Sequence, residues 1–148
     1  MARSLRRAAP PSGMRRINPS KGGNVGSILV VEDEPDMREL MAVKLRGAGH
    51  RVRTAQTGVD GLASLREDRP DLVLLDVQLP DTTGLAFCKT VRADAEIRDI
   101  LIVMISASAS QEEVDAGLAA GADDYVTKPF APSALVARIQ ALLDSGPA

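Results

Sequence analysis

The sequence predicts a doubly wound α/β fold: a five-stranded parallel sheet with five helices covering both faces. Two observations carry that prediction. From Ser27 onward, short apolar runs alternate five times with amphipathic helical patterns, and strict alternation of this kind builds parallel sheets flanked by helices. The runs at 28–31, 72–75 and 100–105 are apolar without a break, which is how strands buried on both faces read. The run at 51–54 is more polar, as an edge strand requires, and a short fifth run spans 125–127. Right-handed crossovers restrict the topology. Strand order 2-1-3-4-5 fits best, with the first and third runs central, and it places function outside the C-terminal strand ends.

The helices follow from their signals. Pro35 suits a first helical turn, Met37, Leu40, Met41 and Leu45 recur at helical spacing, and Gly47 and Gly49 stop the helix. Thr57 caps a second helix that runs to about Glu67, ahead of Pro70. Thr83 or Gly84 opens a third, through about Ala93. Ser110 and Glu113 read as a capping box for a fourth, with Val114 and Leu118 expected on its inner face. Pro132 sits in the first turn of a fifth, with Leu135, Ile139 and Leu142 as its inward stripe. The whole is flavodoxin-like.

Composition bounds the rest. At 148 residues there is room for one domain and a tail. A lone cysteine, Cys88, excludes an internal disulfide framework and a cysteine-based zinc site, which suits a reducing cytoplasmic compartment. No apolar run has the length of a membrane span. One Tyr and two Phe are too few for a base-stacking surface. Residues 1–26 hold Arg3, Arg6, Arg7, Arg15, Arg16 and Lys21 with no acid, whereas the remainder holds all 20 acidic residues. A basic extension thus precedes an acidic domain at 27–143, with a short tail at 144–148. The extension, rich in Pro and Gly, reads as disordered. Its composition resembles a transit peptide and also suits contact with nucleic acid or anionic lipid, or it is simply a solvated extension.

Chemistry concentrates at the strand ends. The first run ends in Glu32-Asp33-Glu34, the third in Asp76, the fourth in Ser106 and the fifth in Lys128-Pro129. Because the first and third strands are neighbours in the expected order, Glu32, Asp33 and Asp76 should converge. Two unit charges about 5 Å apart repel by roughly 3 kcal/mol at an effective dielectric of 20, so a proton, a cationic side chain or a metal must offset them. An oxygen-only set favours Mg²⁺ or Mn²⁺, Lys128 supplies a point charge for a phosphoryl oxygen, and Ser106 supplies a hydroxyl. Together they describe a phosphoryl-transfer site with Asp76 as carboxylate nucleophile. A phosphate loop of the G-x-x-x-x-G-K-[ST] type is missing, which argues against nucleotide binding. Glu34 reads as a solvated residue of the helix N-terminus.

At this point the sequence resembles the bacterial response-regulator receiver domain. The carrying segments are ILVVEDEP from Ile28, LLDVQLP from Leu74 with Gly84, ISA from Ile105, and GADDYVTKPF from Gly121. The resemblance spans about residues 27–143. It implies that Asp76 is the phosphoacceptor. Glu32 and Asp33 would hold Mg²⁺ beside it, with the backbone carbonyl of Gln78. Ser106 and Lys128 would contact the phosphoryl group, Tyr125 would act as the switch aromatic, and the bond before Pro129 would be cis. The acidic pair is Glu-Asp where Asp-Asp is commoner, and Gln78 occupies a position that bears on water access.

The resemblance implies a single-domain regulator, not a turnover enzyme. It would take its phosphoryl group from a sensor histidine kinase or histidine phosphotransfer protein, since its one histidine, His50, gives no phosphodonor. It would signal to a downstream protein target in the cytoplasm, with no DNA-binding domain and no membrane partner. It would be a monomer with scope for dimerisation on phosphorylation. Asp123, Asp124 and Arg138 match charged interface positions of the dimerising branch, while Ala134 replaces a glutamate there. A phosphohydrolase using an aspartyl phosphate is the competing class, but the acid such enzymes carry two residues after the nucleophile is Gln78 here.

Overall fold

The computed structural model describes Ile17–Asn18 and residues 23–145. In chain order the main elements are β1 (Ser27–Val31), α1 (Pro35–Gly47), β2 (Arg51–Ala55), α2 (Gly58–Glu67), β3 (Leu72–Asp76), α3 (Gly84–Ala93), β4 (Leu101–Ser106), α4 (Gln111–Ala119), β5 (Asp124–Thr127) and α5 (Pro132–Ser145). The sheet is parallel with order β2-β1-β3-β4-β5, the doubly wound order that the alternation predicts.

The uninterrupted apolar runs serve two cores at once. Ile28 and Val30 point to one face, with Leu72, Leu74, Val103 and Ile105, and meet Met41 and Leu45 of α1 and Leu135, Ile139 and Leu143 of α5. Leu29 and Val31 point to the other, with Val73, Leu75, Ile102 and Met104, and meet Leu65, Phe87, Cys88 and Val91 of α2 and α3. Alternation of side chains along a strand leaves no polar face in such a sheet. Burying each large aliphatic side chain contributes about 1.5–3 kcal/mol.

Several helix faces differ from the expected ones. Leu40 is exposed, and α1 buries Met41, Ala42 and Leu45. Leu118 is also exposed. The buried residue of α4 is Gly117, because the Tyr125 ring and Met104 fill the space beneath the helix and leave no room for a larger side chain. In α5 Leu143 is buried, with Leu142 packed at the edge of the core.

The caps at α1, α2 and α3 are single side-chain acceptors. Glu34 accepts from the N–H of Met37, Thr57 from Asp60 and Thr83 from Ala86. The capping box at α4 is half formed: Ser110 Oγ accepts from the Glu113 N–H, while the Ser110 N–H donates to Ser108 Oγ.

The basic extension lies largely outside the described residues. Within it, Ile17–Asn18 and Gly23–Asn24 form a short antiparallel pair, and Gly23–Asn24 lies against α5. At the other end α5 runs to Ser145. Hydrogen bonds from Gln140 to Asp144 and from Ser145 Oγ to the Ala141 carbonyl tie this last turn.

Candidate functional site

Sheet register brings the strand-end residues together. Val31 pairs with Leu75, Asp76 with Ile105, and Ser106 with Thr127. The residues just past those pairs therefore emerge side by side at the C-terminal edge. The ladder extends slightly beyond the strands: Glu32 N–H donates to the Ala55 carbonyl at 3.0 Å, Val77 N–H to Ile105 at 2.9 Å and Lys128 N–H to Ser106 at 2.7 Å. These bonds fix the backbone from which the polar side chains project. The Lys128–Pro129 peptide bond is cis.

The polar groups form one connected cluster. Lys128 Nζ lies 2.9 Å from Asp76 Oδ2 and 3.4 Å from Glu32 Oε1. Asp76 Oδ1 accepts from the Gln78 N–H at 2.8 Å, and Glu32 Oε2 from the Glu34 N–H at 3.1 Å. One carboxylate oxygen each of Glu32, Asp33 and Asp76 lie within 4.8 Å of one another. Glu32 is 1% exposed, Asp76 is buried and Asp33 is exposed, so the cluster opens to solvent on the Asp33 side.

Electrostatics follow from that geometry. Burial pushes the Glu32 carboxyl up to about 7, the Asp76 carboxylate adds to the rise, and the Glu34 N–H and Lys128 oppose it. Burial alone would lower the Lys128 ammonium, but Asp76 and then Glu32 outweigh it and raise it above its ordinary value. Three carboxylates against one ammonium leave an excess of negative charge. That excess, an all-oxygen donor set and an open side fit a hard divalent cation.

The loop after Asp76 is braced from two directions. Gly84 N–H donates to the Val77 carbonyl at 2.6 Å, and Leu79 N–H to Thr82 at 3.1 Å. A Cβ at Gly84 would stand 2.9 Å from Val77 Cα, so this close approach requires glycine. The bridge engages the Val77 carbonyl and not that of Gln78. Asp81 then accepts from the N–H groups of Gly58 and Val59 at the start of α2, and these bonds hold its carboxyl below the usual range.

On the far side, Ser106 Oγ accepts from the Ser108 N–H at 3.0 Å, which leaves its own proton free to donate elsewhere. Tyr125 is buried, and its hydroxyl donates to the Ser108 carbonyl at 3.2 Å. One residue, Ser108, thus touches Ser106 through its N–H and Tyr125 through its carbonyl. A cavity of about 760 Å³ runs from the acidic cluster past Ser106 to Tyr125 and Ala116 of α4.

Sequence reasoning did not find Ser108, Asp81 or Arg38, whose Nη1 reaches the carbonyls of Glu32 and Asp33. These act through backbone groups, and no side-chain pattern signals them. Asp123 and Asp124 are engaged inside the chain. Arg138 forms a two-pronged pair with Asp124, and Asp123 binds Arg92 and the Ile102 N–H.

The chain is similar to known proteins in sequence and in fold. The chain is 46% identical over 116 residues to the DNA-binding response regulator MtrA of Mycolicibacterium smegmatis, covering 78% of this chain and 50% of that protein. Among solved structures, a putative response regulator from Chloroflexus aurantiacus matches with a TM-score of 0.77 at 36% identity, over 81% of this chain and 98% of that one. The chemotaxis response regulator CheY4 of Vibrio cholerae matches at 0.76 and 32% identity, over 80% and 98%.

One expectation is overturned here. The partners were expected to exclude DNA, yet MtrA is a DNA-binding regulator, and the transcriptional regulatory protein GltR of Pseudomonas aeruginosa is matched too. The chain spans half the length of these relatives, so the matched part is their receiver portion and says nothing about the rest. No helix among the described residues is long and apolar enough to cross a membrane. The family model of the response regulator receiver domain matches residues 28–140, and the chain belongs to that family.

Proposed function

We propose that Asp76 accepts a phosphoryl group from a phosphohistidine on a cytoplasmic sensor kinase or phosphotransfer protein, and that the phosphorylated chain signals through an altered surface. The observation that carries this reading is the convergence on Asp76. A lysine ammonium lies 2.9 Å from its carboxylate, and the Glu32 and Asp33 oxygens lie within 4.8 Å.

Glu32, Asp33 and Asp76, with the Gln78 carbonyl, would hold Mg²⁺ or Mn²⁺. The bound cation would neutralise phosphoryl oxygens. The chain's own residues do the rest. A carboxylate oxygen of Asp76 attacks phosphorus, an O–P bond forms, the N–P bond of the donor breaks, and the imidazole leaves with a proton from solvent. Lys128, partly buried and charged, shifts from carboxylate to phosphoryl oxygen. The Ser106 hydroxyl donates to another. Movement of Ser106 is passed through the backbone N–H and carbonyl of Ser108 to Tyr125, which biases the surface around α4 and β5. The chemistry acts on the chain itself, and water later removes the acyl phosphate.

Labelled acetyl phosphate with Mg²⁺ should label the protein, and Asp76→Asn should abolish labelling. Full labelling of that variant would remove Asp76 from the role. Steady turnover of a small phosphate ester would instead favour a hydrolase.

A further inference from the structure

Arg38 occupies an unusual place. It lies in the first turn and a half of α1, near the helix N-terminus, where the helix dipole disfavours a cation. Its Nη1 folds back to donate to two successive carbonyls, Glu32 at 2.9 Å and Asp33 at 3.3 Å. Those carbonyls belong to the turn that carries two of the three clustered carboxylates.

The two acids are held very unequally. Glu32 is fixed by its N–H to Ala55, by the Glu34 N–H on one carboxylate oxygen and by Lys128 near the other. Asp33 is exposed, and among the described residues no hydrogen bond reaches its carboxylate. The direction of that side chain depends on its backbone, and Arg38 holds its carbonyl.

We infer that Arg38 is a positioning residue for divalent-cation binding: it locks the Glu32–Asp33 turn so that the Asp33 carboxylate faces Glu32 and Asp76. The inference rests on the Mg²⁺ reading above. Its value lies in the sign of the effect. A guanidinium beside a cation site repels the cation, so by charge alone its removal tightens Mg²⁺ binding. By positioning, its removal weakens binding, because an acid that was aimed is released. Loss of a group that orients a metal ligand typically weakens affinity about 10–100-fold.

The test is Mg²⁺ titrated calorimetrically into the full chain, with Mn²⁺ followed by electron paramagnetic resonance as a second probe. Arg38→Ala should weaken Mg²⁺ binding about tenfold. Arg38→Gln, which keeps an N–H donor and loses the charge, should recover most of the affinity. In acetyl phosphate labelling, Arg38→Ala should shift the Mg²⁺ midpoint upward and leave the plateau near wild type. Circular dichroism in EDTA should show α1 intact in both variants, and if Arg38→Ala does not fold, Arg38→Gln against wild type decides. Unchanged or tighter binding by Arg38→Ala would overturn the inference, as would Arg38→Gln binding as weakly as Arg38→Ala. Wild-type protein that binds no Mg²⁺ would bring down the metal reading itself, a separate and recognisable result.

Discussion

Lys128→Met isolates the electrostatic core of the site, because it removes the ammonium and keeps most of the aliphatic stem. At 2.9 Å from Asp76 and 3.4 Å from Glu32, the gross attractions are about 6 and about 5 kcal/mol at an effective dielectric of 20. Desolvation offsets much of that, and cutting one partner from a buried pair usually costs about 3–5 kcal/mol. The Lys128 side chain is 25% exposed, so water screens part of the interaction, and a loss of about 2–3 kcal/mol is the reasoned value.

The background decides whether that loss is electrostatic. In Asp76→Asn the strongest partner is gone, and Lys128→Met should then cost under about 1 kcal/mol, which gives a coupling of about 2 kcal/mol. Urea unfolding without Mg²⁺ reads it, as a midpoint shift of roughly 1–2 M for the single Lys128 variant and much less on the Asp76→Asn background. Acid should rescue the single variant. Glu32, already raised to about 7, takes up a proton more readily once Lys128 is gone, so the loss shrinks as pH falls below 7. Equal losses on the two backgrounds, or a loss that grows on acidification, would refute the reasoning.

Two other predictions concern groups away from the charges. His50 is buried and its Nδ1 accepts the Gly26 N–H at 3.0 Å. Burial holds its pKa below 6.5, against the opposing influence of the neighbouring Gln140 side chain and the charges of Asp144 and Asp71. The unfolded chain therefore binds that proton more readily, and the contribution of His50, present above pH 6.5, is lost as pH falls below it. Urea midpoints of His50→Gln should change less than wild type between about pH 7.5 and about pH 5.5, and parallel curves would reject the assignment. At Gly117 an added Cβ would lie 3.0 Å from the Tyr125 ring and 3.1 Å from Met104 Sδ. Gly117→Ala should push the ring outward at an overpacking cost of about 1–3 kcal/mol, partly offset by about 1 kcal/mol of helix propensity. With one tyrosine and no tryptophan in the chain, acrylamide quenching of tyrosine emission reports Tyr125 alone. Quenching should increase, and unchanged quenching would contradict the packing.

What was legible in the sequence, and what was not, separates along a physical line. Asp76, Ser106 and Lys128 could be placed because each ends an apolar strand or follows it directly, and in a parallel sheet the hydrogen-bond ladder fixes where strand ends meet. A slip of one residue would turn every side chain to the wrong face, so register tolerates no error. Helix faces carry no such constraint. The spacing of Val114 and Leu118 placed both on the inner side of α4, but spacing counts apolar side chains and is blind to what lies beneath. Here the Tyr125 ring rises to meet the helix, and the position that fits is the one with no side chain, Gly117. Leu118 is turned to solvent as a result. Arg38 was hidden for a related reason, since its partners are the carbonyls of Glu32 and Asp33, and every residue has a carbonyl. The site therefore divides into side chains that deliver charge, which a strand pattern exposes, and contacts that aim them, made to backbone or to empty space, which only the folded chain reveals. The partly formed capping box shows the same division within four residues: Ser110 receives the Glu113 N–H as the motif requires, and its own N–H goes to Ser108. The return bond is thereby made by the residue whose N–H and carbonyl also touch Ser106 and Tyr125, which ties the start of α4 to the segment that would have to move.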